Sequence, residues 1–443
     1  MQSPPPPTFP QALRFWWWLG WVSFGGPAGQ IAILHRELVD RKRWISERRF
    51  LHALQYCMVL PGPEAQQLAT YIGWLLHGAR GGIAAGMLFV LPSLGILGGL
   101  AWLYALYGDL PAVEAALSGV RPAVVAVVLH AAWRIGRRAL RSPPMIALAA
   151  ASLVGMLLHV PFPLLIVGAG LVGAVGARFA PGTFALGGGG AHAGGGGGAG
   201  HGPAVLDDDT PVPPWARFSP LRAAAQVAVA IGLWGAGYAA VLGVGGADGT
   251  FPRMARFFTQ AALVTFGGAY AVLPYVHHGA TVTYGWLLPP QMMDGLALGE
   301  ATPGPLIMIV AWVGFLGGWQ VPAPGWPVEV SAWTGAAVAT FYTFLPSFLF
   351  ILAGAPAVEA TRSAPRLTAP LAAITAAVVG VIVNLAIFFG VHAFFPDGRA
   401  AGPNIAAVAI GLLAAIAVFR FEVGVVKLLL GAAALGLALS HLG

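Results

Sequence analysis

Phe24-Gly25-Gly26-Pro27 and Leu60-Pro61-Gly62-Pro63-Glu64 decide how this chain is read, because both recur. Phe266-Gly267-Gly268 follows Phe24-Gly25-Gly26 by 242 positions, and Pro303-Gly304-Pro305 follows Pro61-Gly62-Pro63 by the same 242. Trp286 stands 242 after Trp44. The register then slips by 12 and holds again. Leu345-Pro346-Ser347 follows Leu91-Pro92-Ser93 by 254, and the run Ala377 to Val383 resembles Ala123 to Leu129 at that offset. One unit has been duplicated, with an insertion around Gly317 to Glu329 in the second copy.

Composition says where such a unit lives. The chain has 443 residues, 58% hydrophobic and 9% charged, against about 25% charged in soluble domains. That is an all-α polytopic membrane protein, with room for roughly ten apolar segments of about 20 residues. The net charge of +7 is almost all arginine. On a membrane protein such an excess reports cytoplasmic loops, not nucleic-acid binding. A single cysteine, Cys57, excludes an internal disulfide and a cysteine metal cluster. No metal site and no cofactor are expected. The proline-rich start lacks a basic region, so no removable signal peptide is expected either.

Residues 1–179 form the N-terminal repeat. A first apolar segment, 13–34, is broken at Gly25-Gly26-Pro27, and a basic loop, His35 to Arg49, follows. A second segment, 50–77, is broken at Pro61-Gly62-Pro63. An unbroken span covers 82–107, and the loop 108–120 carries only Asp109 and Glu114. A span opens at 121–133 and ends in Arg134, Arg137, Arg138 and Arg141. Residues 180–220 read as a linker. Its tract Gly187 to Gly202 is flexible coil by composition, with His192 and His201 too loosely placed to fix a metal. A lone helix, 221–243, precedes the C-terminal repeat, 244–443.

Basic loops stay cytoplasmic. His35–Arg49 and Arg134–Arg141 share a side only if 50–77 is a re-entrant hairpin. In the second half the bias reverses: 278–288 holds no Lys or Arg, whereas the loop matching 108–120 holds Arg362 and Arg366. Each copy then makes an even number of crossings and the lone helix adds one. Two inverted-topology repeats with broken or re-entrant helices result, the signature of secondary transporters.

Glycine and proline interrupt the helical ladder. In lipid each freed amide or carbonyl costs several kcal/mol unless protein or water satisfies it. Proline suits the start of a helix, so Pro27, Pro63 and Pro305 are expected to open half-helices. Their free N–H groups and positive dipole ends suit an anion. The expected anion site comprises Gly25, Gly26, Pro27, Ala28, Pro61, Gly62, Pro63, Gly267, Gly268, Pro303, Gly304 and Pro305. The alternative is that these positions are only kinks for close packing. Gln67 and Tyr71, one turn apart, are further donors to oxyanion oxygens or partners across helices; Gln66 points elsewhere.

Glu64 and Glu300 are the acidic groups nearest the breaks and the candidates for proton coupling. For Glu64 the alternative is a carboxylate at a helix N-terminus, worth about 0.3–1 kcal/mol at a surface. They are not repeat equivalents, since Glu64 aligns with Leu306 and Glu300 with Met58. His130, aligned with Asn384, reads as an interhelical bonding residue. His277-His278 reads as an interfacial pair, and Arg36 as a residue that draws anions in.

The run Phe24-Gly25-Gly26-Pro27, Trp44, Leu60-Pro61-Gly62-Pro63-Glu64-Ala65-Gln66-Gln67-Leu68-Ala69 and Tyr71-Ile72-Gly73-Trp74 resembles the chromate ion transporter family. Thr265-Phe266-Gly267-Gly268-Ala269-Tyr270 with Ala301-Thr302-Pro303-Gly304-Pro305 resembles the C-terminal domain of its long, two-domain members. The resemblance implies chromate efflux driven by the proton-motive force from a multi-pass protein of the cytoplasmic membrane. Sulfate is the structural analogue, and the implied partners are the oxyanion, protons and lipid. A sulfate or oxyanion importer and an anion channel stay open as alternatives, as does a homodimeric assembly. A chromate-reducing enzyme lacks a redox centre in this sequence.

Overall fold

Each glycine–proline corner ends one short helix and starts another. The computed structural model describes residues 4–179, 203–211, 213–266, 268–360 and 368–441. Gly267, the tract Gly187 to Gly202, Arg362 and Arg366 lie outside them. Helix α1, Phe9–Val22, reaches the first corner, and α2, Gly26–His35, leaves it and runs into a π-helical turn, Arg36–Arg41. Helix α3, Glu47–Val59, reaches the second corner, and α4, Glu64–Tyr107, leaves it. Then come α5, Pro111–Ala139, α6, Pro143–Leu157, α7, Phe162–Phe179, and the lone α8, Pro220–Gly245.

The second half repeats the plan. Helix α9 is Thr250–Leu263, α10 is Ala269–His278 with its π-helical turn Gly279–Thr283, and α11 is Pro289–Ala301. A 3-10 turn, Leu306–Met308, leads into α12, Ile309–Gln320, followed by α13, Val328–Ala360. Helices α14, Thr368–Phe394, α15, Ile405–Phe421, and α16, Val425–Ser440, complete it. Both ends of α11 lie 242 positions after those of α3, and the π-helical turns recur in corresponding places.

Length decides what each helix does. Helices α2 and α3, of 10 and 13 residues, span about 15 and 20 Å at 1.5 Å per residue. Neither alone crosses a hydrocarbon core of about 30 Å. Helix α4 has 44 residues, about 66 Å if straight, but its backbone leaves helical geometry at His77 and Gly78. There it folds back: a Cβ on Gly73 would stand 2.6 Å from the Gly81 carbonyl oxygen. The second copy splits the same hairpin. Helices α12 and α13 pack with a Cβ on Gly314 only 2.3 Å from the Gly335 carbonyl, and the inserted residues fall in their connection, 321–327. Small residues bring backbones this close where lipid supplies no hydrophobic drive between helices.

Among the described residues, six helices are long and apolar enough to cross a membrane: α4, α5, α7, α8, α13 and α14. The chain is therefore an all-α polytopic membrane protein. Helix α8 is mostly exposed, with Ala230 and Val241 buried. It leans on α9 and α13 through Trp234, whose Nε1 donates to Thr259 Oγ1 at 2.9 Å and whose carbonyl accepts from the Tyr342 hydroxyl at 3.1 Å. The outer arm of α4 and α13 pack antiparallel: Gly82 meets Leu352, Gly86 meets Phe348 and Gly98 meets Trp333.

One expectation needs correction. The loop 108–120 is only three residues long, because α5 opens at Pro111. Proline suits that first turn, and Glu114 and Arg121 pair with each other on the helix instead of marking a solvated loop. The far end of the linker, beyond the glycine tract, docks on the first repeat. Leu206 forms a parallel bridge with Ile45, the Ser46 hydroxyl donates to Asp208 Oδ1 at 2.6 Å, and Trp215 Nε1 donates to the Trp74 carbonyl at 3.1 Å. Leu206 and Ala216 are the apolar anchors, buried with Trp44 and Phe50.

Candidate functional site

The corners of the two repeats cross. The Gly62 amide donates to the Thr265 carbonyl at 2.8 Å, and the Gly304 amide donates to the Ser23 carbonyl at 2.8 Å. Gly304 and Gly62, like Thr265 and Ser23, are 242 apart, so one hydrogen bond maps onto the other when the repeats are exchanged. These two amides, expected as free donors to an anion, are thus taken in this conformation. The reason is the cost of an unpaired N–H away from water: each repeat satisfies the other's break.

Glutamines brace both crossings. Gln30 Nε2 donates to the Gly304 carbonyl at 2.5 Å and to that of Ser23 at 3.4 Å. Gln67 Nε2 donates to the Pro61 carbonyl at 2.8 Å and reaches Ser347 Oγ at 3.5 Å. Gln66 Oε1 and Gln67 Oε1 are buried without partners among the described residues. Gly62, Pro63, Pro303, Gly304 and Pro305 are all buried here, with Pro61 half-buried.

The Gly-Gly corners differ. Gly25 and Gly26 adopt φ +92° and +66°, conformations that favour glycine. Their corner opens outward: Phe24 is 43% exposed, Gly25 and Ala28 are exposed, and nothing lies within 4 Å of a Cβ built on Gly26. Pro27 sits in the first turn of α2. The second corner is covered, with Gly268, Ala269 and Tyr270 buried.

Glu64, the first residue of α4, reaches from the first repeat to the second. Its carboxylate oxygens lie 3.7 and 3.9 Å from a Cβ built on Gly268, and it has no hydrogen bond or ion pair among the described residues. Glu300 is held differently, accepting a short hydrogen bond from the Tyr270 hydroxyl.

Two buried ion pairs escaped the sequence reading. On α3, Arg49 Nη2 lies 3.3 Å from Glu359 of α13, while its Nη1 donates to the Asp207 carbonyl at 3.1 Å. The Tyr71 hydroxyl donates to the same Glu359, so it is not a donor at the crossing. On α11, Asp294 is fully buried. It accepts from Arg121 Nε and Nη2 of α5 at 2.9 and 3.0 Å and from the Tyr104 hydroxyl at 3.0 Å. The legible signal was an acidic residue inside an apolar segment.

Other expectations fare unevenly. His277 is not interfacial; α14 buries it, with Phe388 and Phe389 rings at 4.3 and 5.3 Å. His130 makes ring contact with Phe419 at 5.2 Å and no hydrogen bond among the described residues. Arg36 is exposed and lies 3.4 Å from Glu37.

Apolar spanning helices around short, interrupted ones that meet at a buried polar crossing define a membrane transport protein. Residues 10–174 and 252–437 match the Chromate transporter family, and the chain belongs to it. It is 33% identical over 384 residues to a chromate transport protein of Pseudomonas aeruginosa, covering 86% of this chain and 80% of that one. It is 27% identical over 380 residues to a probable chromate transport protein of Synechococcus elongatus, covering 86% and 84%. With a chromate transport protein of Cupriavidus metallidurans it shares 26% identity over 406 residues, 87% of each chain. No solved structure matches it.

Proposed function

We propose that this chain exports chromate across the cytoplasmic membrane, coupled to the proton-motive force, and so confers chromate resistance. Two inverted repeats, 1–179 and 244–443, carry it, joined by the linker 180–220 and the helix 221–243. The observation that carries this reading is the pair of crossed hydrogen bonds at Gly62 and Gly304. Parting the crossing exchanges each amide's carbonyl partner for an anion oxygen, so no N–H is left bare at either stage. The antiparallel packing of α4 on α13, equivalent helices of the two copies, supports the inversion. Glu64 supplies the proton link: its charge faces the second corner, and neutralising it removes a repulsion felt by an incoming dianion.

Uptake of labelled chromate by everted vesicles tests this. Chromate accumulates, an uncoupler abolishes the accumulation, and sulfate competes. Flux that ignores the uncoupler at rates far above carrier turnover would mark a channel. Accumulation of sulfate only, in right-side-out vesicles, would mark an importer.

A further inference from the structure

Ser93 and Ser347 occupy the same place in the duplicated unit, the ends of Leu91-Pro92-Ser93 and Leu345-Pro346-Ser347. Both are 1% exposed. Each lies on the Pro-Gly-Pro corner of the opposite repeat. A Cβ built on Gly304 would stand 2.7 Å from Ser93 Oγ, and one on Gly62 would stand 2.5 Å from Ser347 Oγ. The two glycines hold φ +110° and +124°. Only a residue without a Cβ both adopts that backbone cheaply and leaves the hydroxyl its space.

A helical serine commonly satisfies its hydroxyl on the carbonyl four residues back. Ser23 and Thr265 do so at 2.7 and 2.5 Å. Ser93 makes no hydrogen bond among the described residues. Ser347 Oγ accepts from Gln67 Nε2 at 3.5 Å, which leaves its own proton uncommitted. A buried hydroxyl with an idle proton is destabilising unless something accepts it.

The glutamines show that this is a built site. Gln30 serves the Gly304 crossing and Gln67 the Gly62 crossing, yet they are not repeat equivalents; their counterparts are Val272 and Ile309. Each crossing has thus acquired one hydroxyl, one carboxamide and one bare glycine, partly by duplication and partly by separate substitution. Arg49 and Arg121 are committed to Glu359 and Asp294. The donor set is therefore neutral, which suits a ligand that must be bound and then released.

We infer that the Ser93 and Ser347 hydroxyls donate to the carried oxyanion, one at each crossing, and set its selectivity. This rests on the transport reading above and names the residues that recognise the ligand. An oxyanion without a proton suits each crossing because its oxygens accept from a hydroxyl and it has none to donate; a cation would meet proton donors.

The test measures initial rates of labelled chromate uptake in everted vesicles for wild type, Ser93→Ala, Ser347→Ala and the double variant, with the exposed Ser118→Ala as control. Each single variant raises the KM about tenfold, the double variant raises it further, and Ser118→Ala changes nothing. The Ser93→Ala melting temperature does not fall and rises slightly, since that hydroxyl bonds nothing among the described residues and its burial costs stability. Should an alanine variant insert poorly, Ser93→Cys retains a weaker donor and gives an intermediate KM. An unchanged KM in Ser93→Ala and Ser347→Ala, with wild-type uptake normal, overturns the serine assignment alone. Absence of chromate uptake by the wild type overturns the transport reading beneath it.

Discussion

The two Gly-Gly corners descend from one sequence and sit in different surroundings. Around Gly25 and Gly26 the chain is open, with Phe24 and Ala28 exposed. Around Gly268 it is closed, with Glu64 on one side and Tyr270 tied to Glu300 on the other. The Pro-Gly-Pro corners, by contrast, are both buried apart from a half-buried Pro61 and make equivalent hydrogen bonds. The difference comes from helices beyond the corners: α14 lies against α10 and α11 of its own repeat, whereas its equivalent α5 packs on α11, α14, α15 and α16 of the other repeat. Local two-fold symmetry therefore holds at the crossing and fails one shell out. Exposed amides do not face hydrocarbon without penalty, so the open corner is expected to meet water, which the labelling below tests. A crossing with one wet and one closed approach suits a carrier reached from one side at a time.

The largest effect is expected at the symmetric part. Gly62→Leu and Gly304→Leu each place a side chain where Ser347 Oγ or Ser93 Cβ already stands, 2.5 Å from the new Cβ. Both variants should lose chromate uptake while remaining inserted, as read by vesicle flux and membrane immunoblot. Normal uptake in one would show that the two crossings are not equivalent.

Next come the buried ion pairs. Removing one partner of such a pair costs about 3–5 kcal/mol. Glu359→Ala strands Arg49, whose side chain is 7% exposed, whereas Asp294→Ala leaves Arg121 with Glu114. Melting in detergent should therefore fall more for Glu359→Ala. The reverse order would mean that the α11 pair is the main brace.

A subtler contrast separates the carboxylates. Glu64→Gln should flatten the pH dependence of uptake at unchanged stability, because Glu64 faces Gly268 without a partner. Glu300→Gln should leave the pH profile alone and lower the melting temperature through its bond with Tyr270. Identical profiles for wild type and Glu64→Gln would return that residue to a helix-terminal role.

The smallest effect is in labelling. Cys57 is buried, so the chain has a quiet background for thiol reagents. Ala28→Cys should react with a water-soluble maleimide and Ala269→Cys should not, with uptake near normal in the first. Equal labelling would remove the contrast between the corners.

Much of this was readable in advance. Apolar length and composition already implied an all-α membrane protein. The 242-residue offset predicted two copies, and each Gly-Pro break falls where a helix ends in the structure. Asp294 and Arg121 were missed because a residue inside an apolar run shows its cost but not its partner. The start of α5 was missed because Asp109 and Glu114 resemble loop polarity until Arg121 is seen to reach Glu114. His277 was read as interfacial because nothing in its neighbourhood announces that α14 will cover it.

Glycine and proline act through the dihedrals and N–H groups of their own residues, so the chain alone determined where the helices must stop and that the motif occurs twice. Where the freed groups turn is not a local matter. The Gly62 amide finds Thr265, and Ser93 settles against Gly304, only because α4 and α13 pack side by side and bring distant segments together. Tertiary structure alone decided that the breaks satisfy each other and that one corner is covered while its twin is open.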